Sequence, residues 1–245
     1  MNNVISSQSF KYLRSSAFFV MMILMPCLAF VFYRLADTQV SNAPADVTIT
    51  GVQALTGVLD GGFVFVVIGI LASLLICSDF TTQSIRQIIG KGTGRLSYTM
   101  GTLISVFLFC MIVILFYYLS LFGFATISFG KAGLDEWRTL LWLLLATAAM
   151  AFFYTAYLMF IACLTKRATI TVPLAIVTPS LSELLASSFA TRSMKQYPID
   201  LISVFNNIFL HDHKTCPRIY CAIAIIVAGI IFTILSIIVV KKKEY

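Results

Sequence analysis

A chain of 245 residues could form one large soluble domain or two small ones, but 60% of its residues are hydrophobic and only 11% are charged, against about a quarter charged residues in an ordinary soluble domain. The mean hydropathy is +0.96, and the apolar residues gather into runs of the length that crosses about 30 Å of hydrocarbon. The formal net charge of +7 calls for no nucleic acid, because anionic inner-leaflet lipid is an adequate partner.

The pattern predicts an all-α polytopic membrane protein, a single transmembrane domain over residues 1–245 with six spans. Ile5 to Tyr12 mixes polar and apolar residues and carries Lys11, which suits a short helix lying in the headgroup plane. The first span follows over Ser16–Arg34. No small-residue cleavage site follows the run, so it reads as a retained span and not a signal peptide. A polar loop, Leu35 to Thr50, contains Asp37 and Asp46 but no Lys or Arg.

The second span covers Leu55–Cys77. Near its start Asp60 precedes Gly61 and Gly62, and this acid lies either in the outer interface or on a substrate path. Gly57 and Gly61 have the spacing of a helix-packing motif, one that is common by chance. Ser78 to Tyr98 carries Asp79, Arg86, Lys91 and Arg95 with glycines at Gly90, Gly92 and Gly94. Its basic balance places it inside.

The third span is Thr99–Phe122, and the charge-balanced loop Gly123 to Thr139 follows. Leu140–Leu164 forms the fourth span, in which Ala146, Ala148, Ala149 and Ala151 permit close helix contact. Thr165-Lys166-Arg167 is a turn so short that the flanking helices must fold back on each other. The fifth span, Ala168–Ala190, is interrupted by Pro173 and Pro179. It is either a kinked span whose freed carbonyls are satisfied by neighbours or a shorter span followed by an amphipathic piece. A polar segment, Thr191 to Arg218, leads to the sixth span, Ile219–Val240, which ends in Lys241-Lys242-Lys243. Basic residues concentrate before the first span, between the second and third, between the fourth and fifth, and at the C-terminus; Arg192, Lys195, Lys214 and Arg218 in the segment before the sixth span are the exception. Both termini are therefore expected in the cytoplasm.

Little in the chain points to chemistry. Of the six cysteines, Cys27, Cys77, Cys110 and Cys163 belong to apolar runs and Cys216 and Cys221 match no zinc knuckle, so neither a disulfide framework nor a metal site is expected. His211 and His213, the two histidines, share one polar loop without a nucleophile signature. No GxxxxGK[ST] phosphate loop occurs. The chain is expected to be no enzyme and to hold no cofactor.

The segment Asp79-Phe80-Thr81-Thr82-Gln83-Ser84-Ile85-Arg86, continuing to the turn Gly92-Thr93-Gly94-Arg95, resembles the inner loop of the permease subunits of ABC-2 type transporters. Asp79 stands where that family has Glu, Ser84 and Ile85 match its small-hydrophobic pair, and Arg86 matches its base. Gln83 replaces the usual Gly, and Gly101 lies near where a Lys is common. The resemblance implies a cytoplasmic coupling helix between spans two and three that docks on a separate ATP-binding subunit, through Asp79, Phe80, Ile85, Arg86 and Arg95. It further implies two ATP-binding subunits, a second permease chain as homodimer or heterodimer, and ATP hydrolysis outside this chain. Alternatively, Arg86, Lys91 and Arg95 anchor the loop to anionic headgroups. Ile85, Ile88 and Ile89 supply an apolar face at helical spacing.

The small size resembles exporters of amphipathic or antimicrobial peptides, of the kind that carry phenol-soluble modulins. A path for such a substrate would involve Asp60, Phe152, Tyr154 and Tyr157. The alternative function is a membrane interaction or regulatory protein that transports nothing.

Overall fold

A computed structural model of the protein describes residues 2–41, 63–81, 94–129, 134–189 and 218–242. Among these residues the chain is entirely helical: α1 (Asn2–Leu13), α2 (Ser16–Ser41), α3 (Phe63–Thr81), α4 (Arg95–Phe129), α5 (Leu134–Thr165), α6 (Ala168–Phe189) and α7 (Arg218–Lys242). Four stretches are long and apolar enough to cross a membrane: Ser16–Leu35, Arg95–Phe124, Leu144–Thr165 and Ile223–Lys242. Val64–Phe80 and Ala168–Pro179 are shorter apolar helices.

Several helices outrun the spans read from hydropathy. α4 starts at Arg95 instead of Thr99 and continues to Phe129, while α5 starts at Leu134, so most of the expected 123–139 loop is helix. Hydropathy locates an apolar core, whereas helical hydrogen bonding continues past it into polar residues. α3, described from Phe63, runs past the expected end of the second span at Cys77 to Thr81; residues 55–62 lie outside the described residues. Of the two readings for residues 168–190, the structure has one helix, α6, with both prolines inside it.

α3 is the hub. It packs against α2, α4, α5 and α6, and Ile68, Leu71, Ala72, Leu75 and Ile76 are at most 1% exposed. A helix that is apolar all round is stable only when neighbours surround it. The most extensive pairing is α5 with α7, followed by α2 with α4. α2 and α7 are peripheral, with 17% and 28% of their apolar stretches buried against 56% in α4. Their outward Ile, Leu, Val and Phe side chains suit a lipid solvent.

Glycine notches bring helices together. A Cβ on Gly69 of α3 would lie 2.5 Å from Cε1 of Tyr154 and 3.1 Å from Cβ of Ala175. One on Gly229 of α7 would lie 2.7 Å from Cε1 of Phe152 and 3.3 Å from the Phe153 Cα. These are small-residue contacts of the kind that pack membrane helices, where no hydrophobic effect drives association. Ala146 and Ala151 of α5 are also buried.

The α5–α6 turn reverses the chain over two residues. Lys166 takes a left-handed conformation at φ 56°, its N–H donates to the Ala162 carbonyl at 2.8 Å, and the Arg167 carbonyl accepts from the N–H groups of Ile170 and Thr171. One helix is thereby closed and the next opened. The Thr165 and Thr171 hydroxyls, 3.2 Å apart, join the two sides.

Candidate functional site

One end of the bundle collects most of the cations among the described residues. Tyr98 on the first turn of α4 reaches Asp79 on the last turn of α3, and Arg95 Nη1 donates to the Lys241 carbonyl at 2.9 Å, joining the start of α4 to the end of α7. The α5–α6 turn belongs to the same end: Gly69 meets Tyr154 and Ala175, and these three lie 12, 11 and 8 residues from Thr81, Thr165 and Arg167 respectively. Lys11, Arg14, Arg95, Lys166, Arg167, Lys241 and Lys242 therefore share an end with the carboxylate of Asp79. Arg34, Arg138 and Arg218 lie toward the other end, with Asp37, Asp135, Glu136 and Glu183.

Asp79 is fully buried and takes up three side-chain partners. Lys11 Nζ lies 2.5 Å from Oδ1, Gln8 Nε2 donates to Oδ2 at 3.0 Å, and the Tyr98 hydroxyl donates to Oδ2 at 2.7 Å. A buried carboxylate without compensation is among the more destabilising features a fold can contain, and a cation together with hydrogen bonds supplies that compensation. Tyr12 is buried beside the same group, its hydroxyl without a hydrogen-bond partner among the described residues. Burial first, and then the negative charge of Asp79, holds its phenol well above the usual range, so it stays neutral.

Gln8, Lys11 and Tyr12 come from one face of α1. Val4, Gln8, Lys11 and Tyr12 stand at i, i+4, i+7 and i+8, which a 3.6-residue repeat stacks on one side. Val4, Gln8 and Tyr12 are 7%, 2% and 0% exposed. Val4 fills the notch at Gly101, where a Cβ would come within 2.8 Å of its Cγ1, and Tyr12 sits edge-on to Phe109 with ring centroids 5.7 Å apart. On another side of α1, Phe10 and Leu13 are 59% and 51% exposed, and the Arg14 guanidinium lies 4.4 Å from the Phe10 ring centre. The helix expected in the headgroup plane is thus also a packing partner of α4.

About 15 Å deeper than Asp79, ten residues along α3 to Gly69 at 1.5 Å each, lies an aromatic layer. Phe153 and Tyr157 of α5 stack at 6.3 Å and 10°, and Phe232 of α7 stands edge-on to both, at 5.8 and 5.4 Å. Phe152 packs against Gly229 and sits edge-on to Phe107 at 6.1 Å. The Tyr157 hydroxyl lies 3.2 Å from that of Thr178. Tyr154 is buried, and its hydroxyl donates to the Ala175 carbonyl. That carbonyl is the one Pro179, four residues on and lacking an N–H, cannot serve.

The expected site residues are therefore differently placed. Asp79 faces inward onto α1 and α4, and Phe80 is half-buried against the core. Arg95 lies at the same end and holds the last turn of α7. Ile85, Arg86 and Asp60 lie outside the described residues. Phe152, Tyr154 and Tyr157 come together as contacts of α5 with α6 and α7, Tyr154 as a buried strut. Sequence reading missed Gln8, Lys11 and Tyr98 as the partners of Asp79. The available clue was that an acid at the end of an apolar run needs a cation, and that Gln8, Lys11 and Tyr12 share a helical face.

The chain matches no protein-family model, and no curated protein is significantly similar to it.

Proposed function

We propose that this chain is the membrane-embedded permease subunit of an ATP-driven exporter of the ABC-2 type, with six spans in the cell membrane and both termini in the cytoplasm. The observation that carries this reading is the fixation of both helix ends flanking the basic segment 82–93: Asp79 and Tyr98, bonded to each other, hold the end of α3 to the start of α4. An element that receives force from a soluble partner needs rigid stems, and a buried charge-assisted joint supplies rigidity. The concentration of cations at this same end favours its placement on the cytoplasmic side, against anionic lipid.

On this reading the segment docks on a separate ATP-binding subunit through Ile85, Arg86 and neighbouring residues. Two permease chains and two ATP-binding subunits form the working assembly. An amphipathic peptide or similarly hydrophobic compound is the substrate class that suits the aromatic layer near mid-depth, where Phe152, Phe153, Tyr157 and Phe232 present π-faces with few charges.

The test is copurification from native membranes in mild detergent, wild type against Arg86→Glu. Retention of an ATP-binding subunit by wild type and its release by the charge reversal supports the assignment. If wild type retains no such subunit under conditions that preserve other membrane complexes, the permease assignment fails and a non-transporting interaction protein takes its place.

A further inference from the structure

α1 contacts both stems of the inner segment at once. Gln8 and Lys11 bind Asp79, two residues before α3 ends at Thr81. Val4 and Tyr12 seat on Gly101 and Phe109, in the second and fifth turns of α4. Tyr98 closes the triangle by donating to Asp79.

If anchoring in the lipid interface were the sole role of α1, its exposed Phe10 and Leu13, flanked by Arg14, would serve, and the opposite face could be apolar throughout. That face instead carries Gln8 and Lys11 onto a buried acid. A buried ion pair is a poor source of stability compared with well-packed apolar residues, but it tolerates few alternative registers. We infer that α1 is a clamp that sets the position of the inner segment, with Gln8 and Lys11 as positioning residues for the docking of the ATP-binding subunit; the docking half of this statement rests on the function proposed above. The joint lies at the edge of the helix packing, since the Lys11 side chain is 34% exposed while Asp79 is 0%. Lys11 can therefore be altered without opening the core.

The experiment is amide hydrogen exchange on the full chain in nanodiscs, comparing wild type, Lys11→Glu and the charge swap Lys11→Glu with Asp79→Lys. Exchange is expected to rise about tenfold in Lys11→Glu at residues 77–81 and 95–101 together, with α5 and α7 unchanged, and to return toward wild type in the swap. A rise at neither stem, or an equal rise in every helix, overturns the clamp. Should Lys11→Glu fail to accumulate, Lys11→Met removes the charge without reversing it and is expected to loosen the same two stems to a smaller extent. Retention of the ATP-binding subunit, measured in the same variants at equal membrane abundance, is expected to fall with Lys11→Glu and recover in the swap. Equal retention by wild type and Lys11→Glu overturns the positioning role. If wild type retains no ATP-binding subunit, it is the permease assignment that fails, and the exchange data still decide the clamp.

Discussion

Tyr154 donates its hydroxyl to the carbonyl of Ala175, filling the place that Pro179 leaves empty in α6. The threonines near the prolines bond other carbonyls. Thr178 bonds the Leu174 carbonyl at 2.5 Å and Thr171 that of Arg167 at 3.0 Å, and Ala175 is served from across the α5–α6 interface.

That pairing sets an expectation for a double-mutant cycle. Tyr154→Phe leaves a buried carbonyl without its donor and should destabilise the fold by about 1 kcal/mol. In a Pro179→Ala background the helix supplies its own N–H, and the same substitution should have less than half that effect. Thermal or denaturant unfolding in detergent measures both. Equal losses in the two backgrounds would break the link between Tyr154 and the proline.

Gly69 rests on the ring of Tyr154, which its hydroxyl holds in place, and on Ala175, whose Cβ and carbonyl oxygen leave 3.1 and 3.4 Å to an added Cβ. Neither neighbour can yield easily. Gly69→Leu should therefore destabilise the fold by roughly 3 kcal/mol, the upper range for overpacking, and Gly69→Ala by less. Gly123→Leu serves as a control, because a Cβ there meets nothing within 4 Å. The readout is the unfolding midpoint in detergent.

Asp79 and its partners should respond asymmetrically. Lys11→Met leaves a buried carboxylate with hydrogen bonds but no cation, and because the lysine is partly exposed a loss of about 1 kcal/mol is expected. Asp79→Asn keeps groups able to pair with Gln8 and Tyr98 and frees a partly exposed lysine, so its loss should be smaller. The double variant Lys11→Met/Asp79→Asn should be more stable than Lys11→Met alone. Unfolding midpoints at neutral pH test this order, and a double variant less stable than either single one would contradict the charge pairing.

Arg95 caps α7 from the first residue of α4. Arg95→Met removes a charge-assisted bond at an exposed helix end and should lower overall stability by at most about 1 kcal/mol. Its local effect should be larger: faster amide exchange over residues 239–242, with the α5–α7 contact at Gly229 unaffected.

Helicity, membrane character and the tight 165–167 reversal were legible in the sequence, because run length, charge spacing and loop length are properties of the chain taken in order. The charge asymmetry could also be read there, though the structure alone gathers Lys11, Arg95, Arg167 and Lys241 at one end. Helix limits were less legible, since hydropathy reports where a helix is apolar and not where its hydrogen bonds stop; α4 and α5 both extend beyond their apolar cores.

Which side chains meet was decided by the tertiary structure. Nothing local to Asp79 names Lys11, 68 positions away, and nothing local to Pro179 names Tyr154. Such pairs depend on the rotation and offset of one helix against another. Those are set by notches such as Gly69, Gly101 and Gly229, and by the need of a buried charge such as Asp79 for a partner. α3, apolar on nearly every side, shows no polar face from which its neighbours could be read. Its orientation is resolved only when Asp79 finds α1 and Gly69 finds Tyr154.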